Sequence, residues 1–244
     1  MCRFLCVAVA LMLAPTVDAQ TPTPAQVLTN FAKAMNEAAL LKHSSLVREG
    51  TITVSPGEER GTYSIIRNAP NQIANYRETT SQYVAFGTDG HVVWSQKGTV
   101  ISRPDGEERD NIQRDGGLVG LLRRYALAEY TGTVERVRWE GYDCWRLAAK
   151  TSAGKTRSDY YDVQSGLFRG TADTVSLLFL KRDRAYIIDA YAPTDGVQLP
   201  IRFRQRSGPV EMKMNVTRSQ FDAPLPPNKF PMSPEVRTWL AMHP

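Results

Sequence analysis

Apolar positions recur along this chain with two different periods. Between Thr23 and Leu41 they fall three and four apart, with Leu28, Phe31 and Met35 in line and Val27, Ala34, Ala38 and Leu41 beside them. That spacing predicts a helix with one apolar face, which must lie against something. Its start is marked as well: Thr23 can cap, Pro24 suits the first helical position, and Gln26 stands three residues after Thr23 as in a capping box. From Leu46 onward the period drops to two. Candidate strands run over 46–54, 60–67, 72–79, 82–87 and 91–96, with turn signals at Pro56-Gly57, Ala69-Pro70-Asn71 and Asp89-Gly90. The stretch 86–94, FGTDGHVVW, reads as a strand, a tight turn and a strand that ends on one large aromatic.

Pro104-Asp105-Gly106 reads as a further turn, followed by a polar stretch to Arg114. After Asp115, Leu118, Leu121, Leu122 and Tyr125 recur at helical spacing while Arg123 and Arg124 point elsewhere, which predicts an apolar-faced helix over 118–129. Such a helix between β runs can cap the open end of a barrel or lie across one sheet face; both arrangements stay open at this point. A second β run follows over 134–139, 142–150, 155–163, 167–173, 175–180 and 185–191. Past Thr194-Asp195-Gly196 comes the clearest alternation. Val197, Leu199, Ile201 and Phe203 point one way, and Gln198, Arg202, Arg204 and Arg206 the other. Val210, Met212, Met214 and Val216 then alternate with Glu211, Lys213, Asn215 and Thr217. Pro200 is expected at a bulge or edge, where no ladder donor is needed. The chain closes with Phe221-Asp222, a proline-rich stretch, and a short helix from Ser233-Pro234 carrying Val236, Trp239 and Leu240. Short strands at regular intervals, with no linker between them, predict one mostly β domain: an antiparallel sheet or barrel of about eleven strands.

The first residues change what counts as the domain. Arg3 precedes an apolar run over 4–13, and Val17-Asp18-Ala19 stands before Gln20. A basic start, a short apolar core and small residues at the end read as a secretory signal peptide over 1–19, which leaves 20–244 as the mature domain. The run is well short of the ~20 residues that a membrane span needs. Cys2 and Cys6 leave with that signal, so Cys144 stands alone. This excludes an internal disulfide framework and a multi-cysteine metal site, and Cys144 reads as a small buried residue on a strand. The formal charge of +5 is scattered, with its densest group at Lys181, Arg182 and Arg184. In an exported protein that charge suits anionic lipid headgroups better than nucleic acid, and its ordinary explanation is a solvated face.

Catalytic signatures are sparse. His43, His91 and His243 have no metal-ligand spacing, no serine sits in a nucleophile elbow, and no glycine-rich phosphate loop precedes a helix. Asp159 and Asp162 share a strand with nothing to mark them, and Cys144 has no local signature of a nucleophile. The expectation is a protein that is no enzyme, with no catalytic residue, metal or cofactor. What the chain has in quantity is inward aromatic and aliphatic side chains: Tyr63, Ile65, Val84, Phe86, Trp94, Trp139, Trp145 and Phe203. They make either a packed core or the wall of a concavity, and Met212 and Met214 suit an adaptable apolar surface.

A series of short motifs then resembles the LolA/LolB-like outer-membrane lipoprotein-sorting family, with its RseB-type relatives. After the signal and the first helix come Gly61-Thr62-Tyr63, Arg67 near Pro70-Asn71, and Asp89-Gly90-x-x-x-Trp94. The central apolar helix follows, then Tyr161-Asp162-x-x-x-Gly166, Gly196-Val197-x-Leu199-Pro200, Phe221-Asp222 and Phe230-Pro231. Each motif is loose, their order spans nearly all of the mature chain, and the Gly-Val-x-Leu-Pro element is typical of the uncharacterised branches. The resemblance implies a half-open antiparallel β-barrel with helices covering its concave side. It implies a periplasmic, monomeric carrier that holds a lipid or lipoprotein acyl chains in that concavity. Transfer would run between envelope membranes, with inner- and outer-membrane donor and acceptor proteins as partners and no nucleic acid. Arg67 is similar in position to the family's arginine that holds the covering helices closed by hydrogen bonds, an inexact match because two extra residues separate it from its Pro-Asn pair. The ligand-binding residues expected on this basis are Tyr63, Ile65, Arg67, Val84, Phe86, Trp94, Leu118, Leu121, Leu122, Tyr125, Met212 and Met214, with the helix over 118–129 as a movable cover. A second reading is an envelope interaction or sensor module that recognises lipoproteins or a partner protein.

Overall fold

The structure, a computed structural model, describes residues 21–123, 130–150, 154–177 and 180–243. Helix α1 (Pro24–Met35) begins as its sequence predicts: the Thr23 hydroxyl accepts from the Gln26 amide while the Gln26 side chain accepts from the Thr23 amide at 2.7 Å. It ends where Asn36 enters the left-handed region at φ 61°, and the Asn36 side-chain Nδ2 donates to the Gly196 carbonyl at 3.0 Å. A short helix α2 (Glu37–Leu40) leads into the sheet.

The first half contributes β1 (Ser45–Ser55), β2 (Glu59–Asn68), β3 (Gln72–Thr79), β4 (Tyr83–Thr88), β5 (Val93–Lys97) and β6 (Val100–Ser102). Helices α3 (Gly106–Arg114) and α4 (Gly120–Arg123) intervene. The second half contributes β7 (Tyr130–Trp139), β8 (Tyr142–Lys150), β9 (Thr156–Asp162), β10 (Phe168–Leu177), β11 (Leu180–Thr194), β12 (Val197–Ser207) and β13 (Val210–Phe221), followed by α5 (Pro234–Met242). All thirteen strands form one antiparallel sheet in the order β6-β5-β4-β3-β2-β1-β13-β12-β11-β10-β9-β8-β7. Every ladder joins sequence neighbours except that of β1 with β13, which zips the two halves together at the centre. With β6 and β7 at opposite ends of the order, the sheet stays open. The expected half-open, mostly β architecture is therefore present.

Asp222 locks the central seam. Its Oδ1 accepts from the amides of Ser44 and Ser45 at 2.8 and 3.2 Å and from the Ser44 hydroxyl at 2.8 Å, and its Oδ2 lies 2.7 Å from His43 Nδ1. The His43 ring stacks on Phe221, with centroids 4.0 Å apart.

Register decides which side chains share a face, because directly opposed residues project together. Arg48, Ile65, Asn75, Phe86 and Ser95 form one cross-strand row, and Val47, Ile66, Ala74, Gly87 and Trp94 form the next, facing the other way. Each face buries its own core. On the inner face α1 seats Val27, Phe31 and Met35 among Leu46, Tyr161, Phe168 and Leu199, with Phe31 edge-on to Tyr161 at 5.6 Å. On the outer face Val47, Ile66, Tyr76 and Trp94 pack under Phe230, Met232 and Val236. The helices therefore do not all cover the concave side: α5 belongs to the opposite core.

Other details differ from the sequence reading. There are thirteen strands among the described residues rather than about eleven, and the break read at Thr174 is absent, since β10 runs through it from Phe168 to Leu177, while Leu180 already belongs to β11. The polar stretch before Arg114 is α3, whose Glu107, Glu108 and Arg114 suit the helix dipole but whose single buried residue, Ile112, leaves no periodic apolar signal. Leu118 precedes the apolar helix instead of opening it, because Gly116 and Gly117 press against the turn between β2 and β3. A side chain at either glycine would collide with the Pro70 or Asn71 carbonyl, and the Gly117 amide donates to the Gln72 carbonyl at 3.0 Å. Pro200 stands at an irregularity in the β11–β12 ladder, as expected of a residue with no amide hydrogen. No helix among the described residues is long and apolar enough to cross a membrane.

Candidate inner-face cavity

Three chambers share Tyr186 and Gln205 in their walls; α1 and the 115–121 segment border the first, Asp115 also borders the second, and the third reaches the sheet margin, where it shares Asp173, Arg184, Ala185 and Arg206 with the outer groove. The deepest, about 180 Å³, has a mainly apolar wall that includes Phe31, Met35, Ile65, Phe86, Leu121, Phe168, Ile188 and Phe203. The middle one, also about 180 Å³, is polar, with Asn111, Arg114, Asp115, Arg157, Asp159 and Thr171 in its wall. The third, about 390 Å³, is more open and carries Val210 and Met212. A larger hollow of about 670 Å³ runs along the outer face past Ser158, Ala172, Ala185 and Arg206. That groove is open and its rim carries Lys155, Asp173, Asp183 and Arg184, so it offers an apolar ligand little enclosure.

The expected site residues divide among several places. Ile65, Arg67, Phe86 and Leu121 line the deepest chamber, and Met212 lines the open one. Tyr63, Leu118 and Met214 are buried in the inner-face core, with Leu122 packed against it. Val84 stands on the inner face opposite Arg77, outside the three chambers. Trp94 is fully buried in the outer core beside Tyr76, with ring centroids 6.2 Å apart, and does not reach the cavity. Trp94 therefore does not take the ligand-binding place expected of it, because the residue opposite it is Gly87 and not Phe86. Tyr125 lies outside the described residues.

Of the polar groups of the wall, Arg67 was expected from the sequence, and Arg48, Arg77 and Asn75 are the part that sequence reasoning missed. Arg67, 6% exposed, donates to the carbonyls of Asp115 and Gly117 and so fastens the start of the covering segment to β2. Arg77 donates to Gln205 at 3.0 Å and lies 5.7 Å from the centroid of Phe86. Arg48 is 4% exposed, donates to the Pro200 carbonyl, and sits 5.9 Å from the Phe203 centroid. Burial lowers its pKa, against the opposing pull of Tyr63, Tyr186 and Tyr191. Asp159 is wholly buried; the Tyr130 hydroxyl donates to it at 2.7 Å and Arg157 pairs with it at 3.0 Å. Burial pushes the Asp159 carboxyl above its ordinary range, partly offset by Arg157. A signal for Arg48 was present: in Leu46-x-Arg48-x-Gly50-x-Ile52 it is a charge at an inward position of an alternating strand.

An open antiparallel half-barrel, with a helix laid into its inner face over a partly hollow interior, defines a class of fold seen in solved structures. No family model matches the chain, and no curated protein matches it in sequence. By structure it is similar to a LolA superfamily protein from Nitrosomonas europaea, with a TM-score of 0.56, 12% identity, and 86% of this chain and 97% of that one covered. A DUF1329 family protein from Desulfovibrio piger gives 0.54 and 10%, over 86% and 98% of the two chains. A putative outer membrane lipoprotein-sorting protein domain from Vibrio parahaemolyticus gives 0.53 and 10%, over 85% and 97%. The fold is LolA-like, as the order of motifs implied.

Proposed function

We propose that this protein is an envelope carrier that holds an acyl chain of a lipid or lipoprotein in the inner-face cavity and moves it between membranes. The observation that carries the reading is a hollow inner face with many apolar side chains in its wall, behind a segment latched by Arg67. Burial of an acyl chain gains ~0.8 kcal/mol per methylene, so even partial enclosure holds it usefully. The latch consists of hydrogen bonds to two backbone carbonyls, so the 115–121 segment can be released without unfolding the sheet. The LolA-like fold supports the same reading, and the export signal read over 1–19 supports a periplasmic site of action. The protein works as a monomer that meets donor and acceptor proteins in turn, and no chemical step is assigned to it.

The test is to purify the mature protein from an envelope fraction and identify the extracted ligand by mass spectrometry. An acyl-chain lipid or lipoprotein fragment at near-stoichiometric yield is the expected result. An interior that copurifies with nothing and takes up no neutral apolar dye would reject the carrier reading.

A further inference from the structure

Arg48 brings a charge into the deepest chamber that the fold does not answer. It lines that chamber at 4% exposure, its Nε has no hydrogen-bond partner, and no carboxylate among the described residues pairs with it. Buried guanidinium groups are ordinarily paired, because removal of the charge from water is costly unless an anion replaces the lost hydration. Its surroundings point the same way. Ile65 lies opposite Arg48, and Arg67 and Arg77 occupy the neighbouring inward positions on either side, opposite Leu46 and Tyr63. Asp115 is the one carboxylate among the lining residues, against three arginines, so the wall is net positive.

We infer that the deepest chamber receives the acidic headgroup of an acyl amphiphile, a carboxylate or a phosphate, with Arg48 as its ion partner. The chain then runs past Tyr186 and Gln205 toward Met212 in the open chamber. The inference rests on the carrier reading and narrows it: an ester- or amide-linked acyl group leaves Arg48 unpaired, and an acidic amphiphile does not. Size agrees, since about 180 Å³ is close to the engineered cavity of about 150 Å³ that takes a benzene ring, enough for a headgroup but not for a long chain. Arg also suits this task chemically, because its planar donor fork matches both carboxylate and phosphate.

The experiment displaces the neutral dye N-phenyl-1-naphthylamine from the mature protein with dodecanoate, dodecyl phosphate or dodecanol at neutral pH. The acids should displace it at concentrations at least about tenfold lower than the alcohol. Arg48→Met should abolish that preference, read as the ratio of acid to alcohol within the same variant. A lead for dodecyl phosphate assigns the site to phospholipid-type ligands, and a lead for dodecanoate to free fatty acids. If Arg48→Met does not fold, Arg48→Gln, which keeps a donor for the Pro200 carbonyl, is read in its place. Dodecanol equal to the acids, or a preference that survives loss of Arg48, overturns the inference while the carrier reading stands. Failure of the dye and of all three amphiphiles to bind removes both.

Discussion

Phe86 and Trp94 lie one step out of register on neighbouring strands and project to opposite faces of the sheet. Phe86 is paired with Ser95 and looks into the deep chamber, whereas Trp94 is paired with Gly87 and is buried in the outer core under α5. One hairpin thus supplies the wall of the cavity with one aromatic and the anchor of the C-terminal segment with the other.

Their substitutions should separate stability from binding. Trp94→Ala is expected to cost ~3–5 kcal/mol of stability, as for a large buried aromatic, and to leave dye affinity of the folded fraction unchanged. Phe86→Ala is expected to cost only about 1–2 kcal/mol and to weaken dye binding roughly tenfold. Chemical denaturation and dye titration on the same samples check both. A binding defect confined to the Trp94 variant would contradict the two-face assignment.

Arg67→Ala removes the donor that two cover carbonyls use. The expected loss is about 2–3 kcal/mol, typical for hydrogen bonds to a charged group, with faster amide exchange over 115–122 and faster dye release. Unchanged exchange in that segment would mean that Gly117, bonded to Gln72, holds the cover by itself.

Acid should loosen the central seam. Hydrogen bonds from His43 and from the Ser44 amide and hydroxyl hold the Asp222 carboxyl well below the usual carboxylate range. A depressed folded-state pKa contributes stability above the unfolded value, near 3.9, and that contribution fades as pH falls through the folded value. Asp222→Asn should therefore lower the melting temperature at pH 7 by a few degrees, and the gap to the parent protein should close on strong acidification. Melting curves across pH 2 to 7 measure it. A gap that widens in acid would refute the assignment.

Cys144 should be inert in the folded protein. It is fully buried on β8, and burial pushes its thiol up to about 12, with Asp162 adding to the shift. A thiol-reactive chromogen is expected to label it only at the unfolding rate. Rapid stoichiometric labelling of native protein would show that β8 opens locally.

The alternation of apolar and polar residues was enough to place nearly every strand, because period two is a local property that each strand displays by itself. The capping box at Thr23 and the proline at Pro200 were legible for the same reason, since a cap and a missing donor act within a few residues. The order of loose motifs pointed to the fold that the solved structures share. Helix α3 was hidden, because a helix that buries only Ile112 has no apolar stripe to read. The candidate site was legible in part: Ile65, Arg67, Phe86, Leu121 and Met212 reach the cavity, while Arg48 and Trp94 were placed only by the fold. Alternation shows that neighbours face opposite ways but not which way is in. That choice is made by pairing between strands distant in sequence and by what α1 and α5 cover, and only the folded sheet contains both.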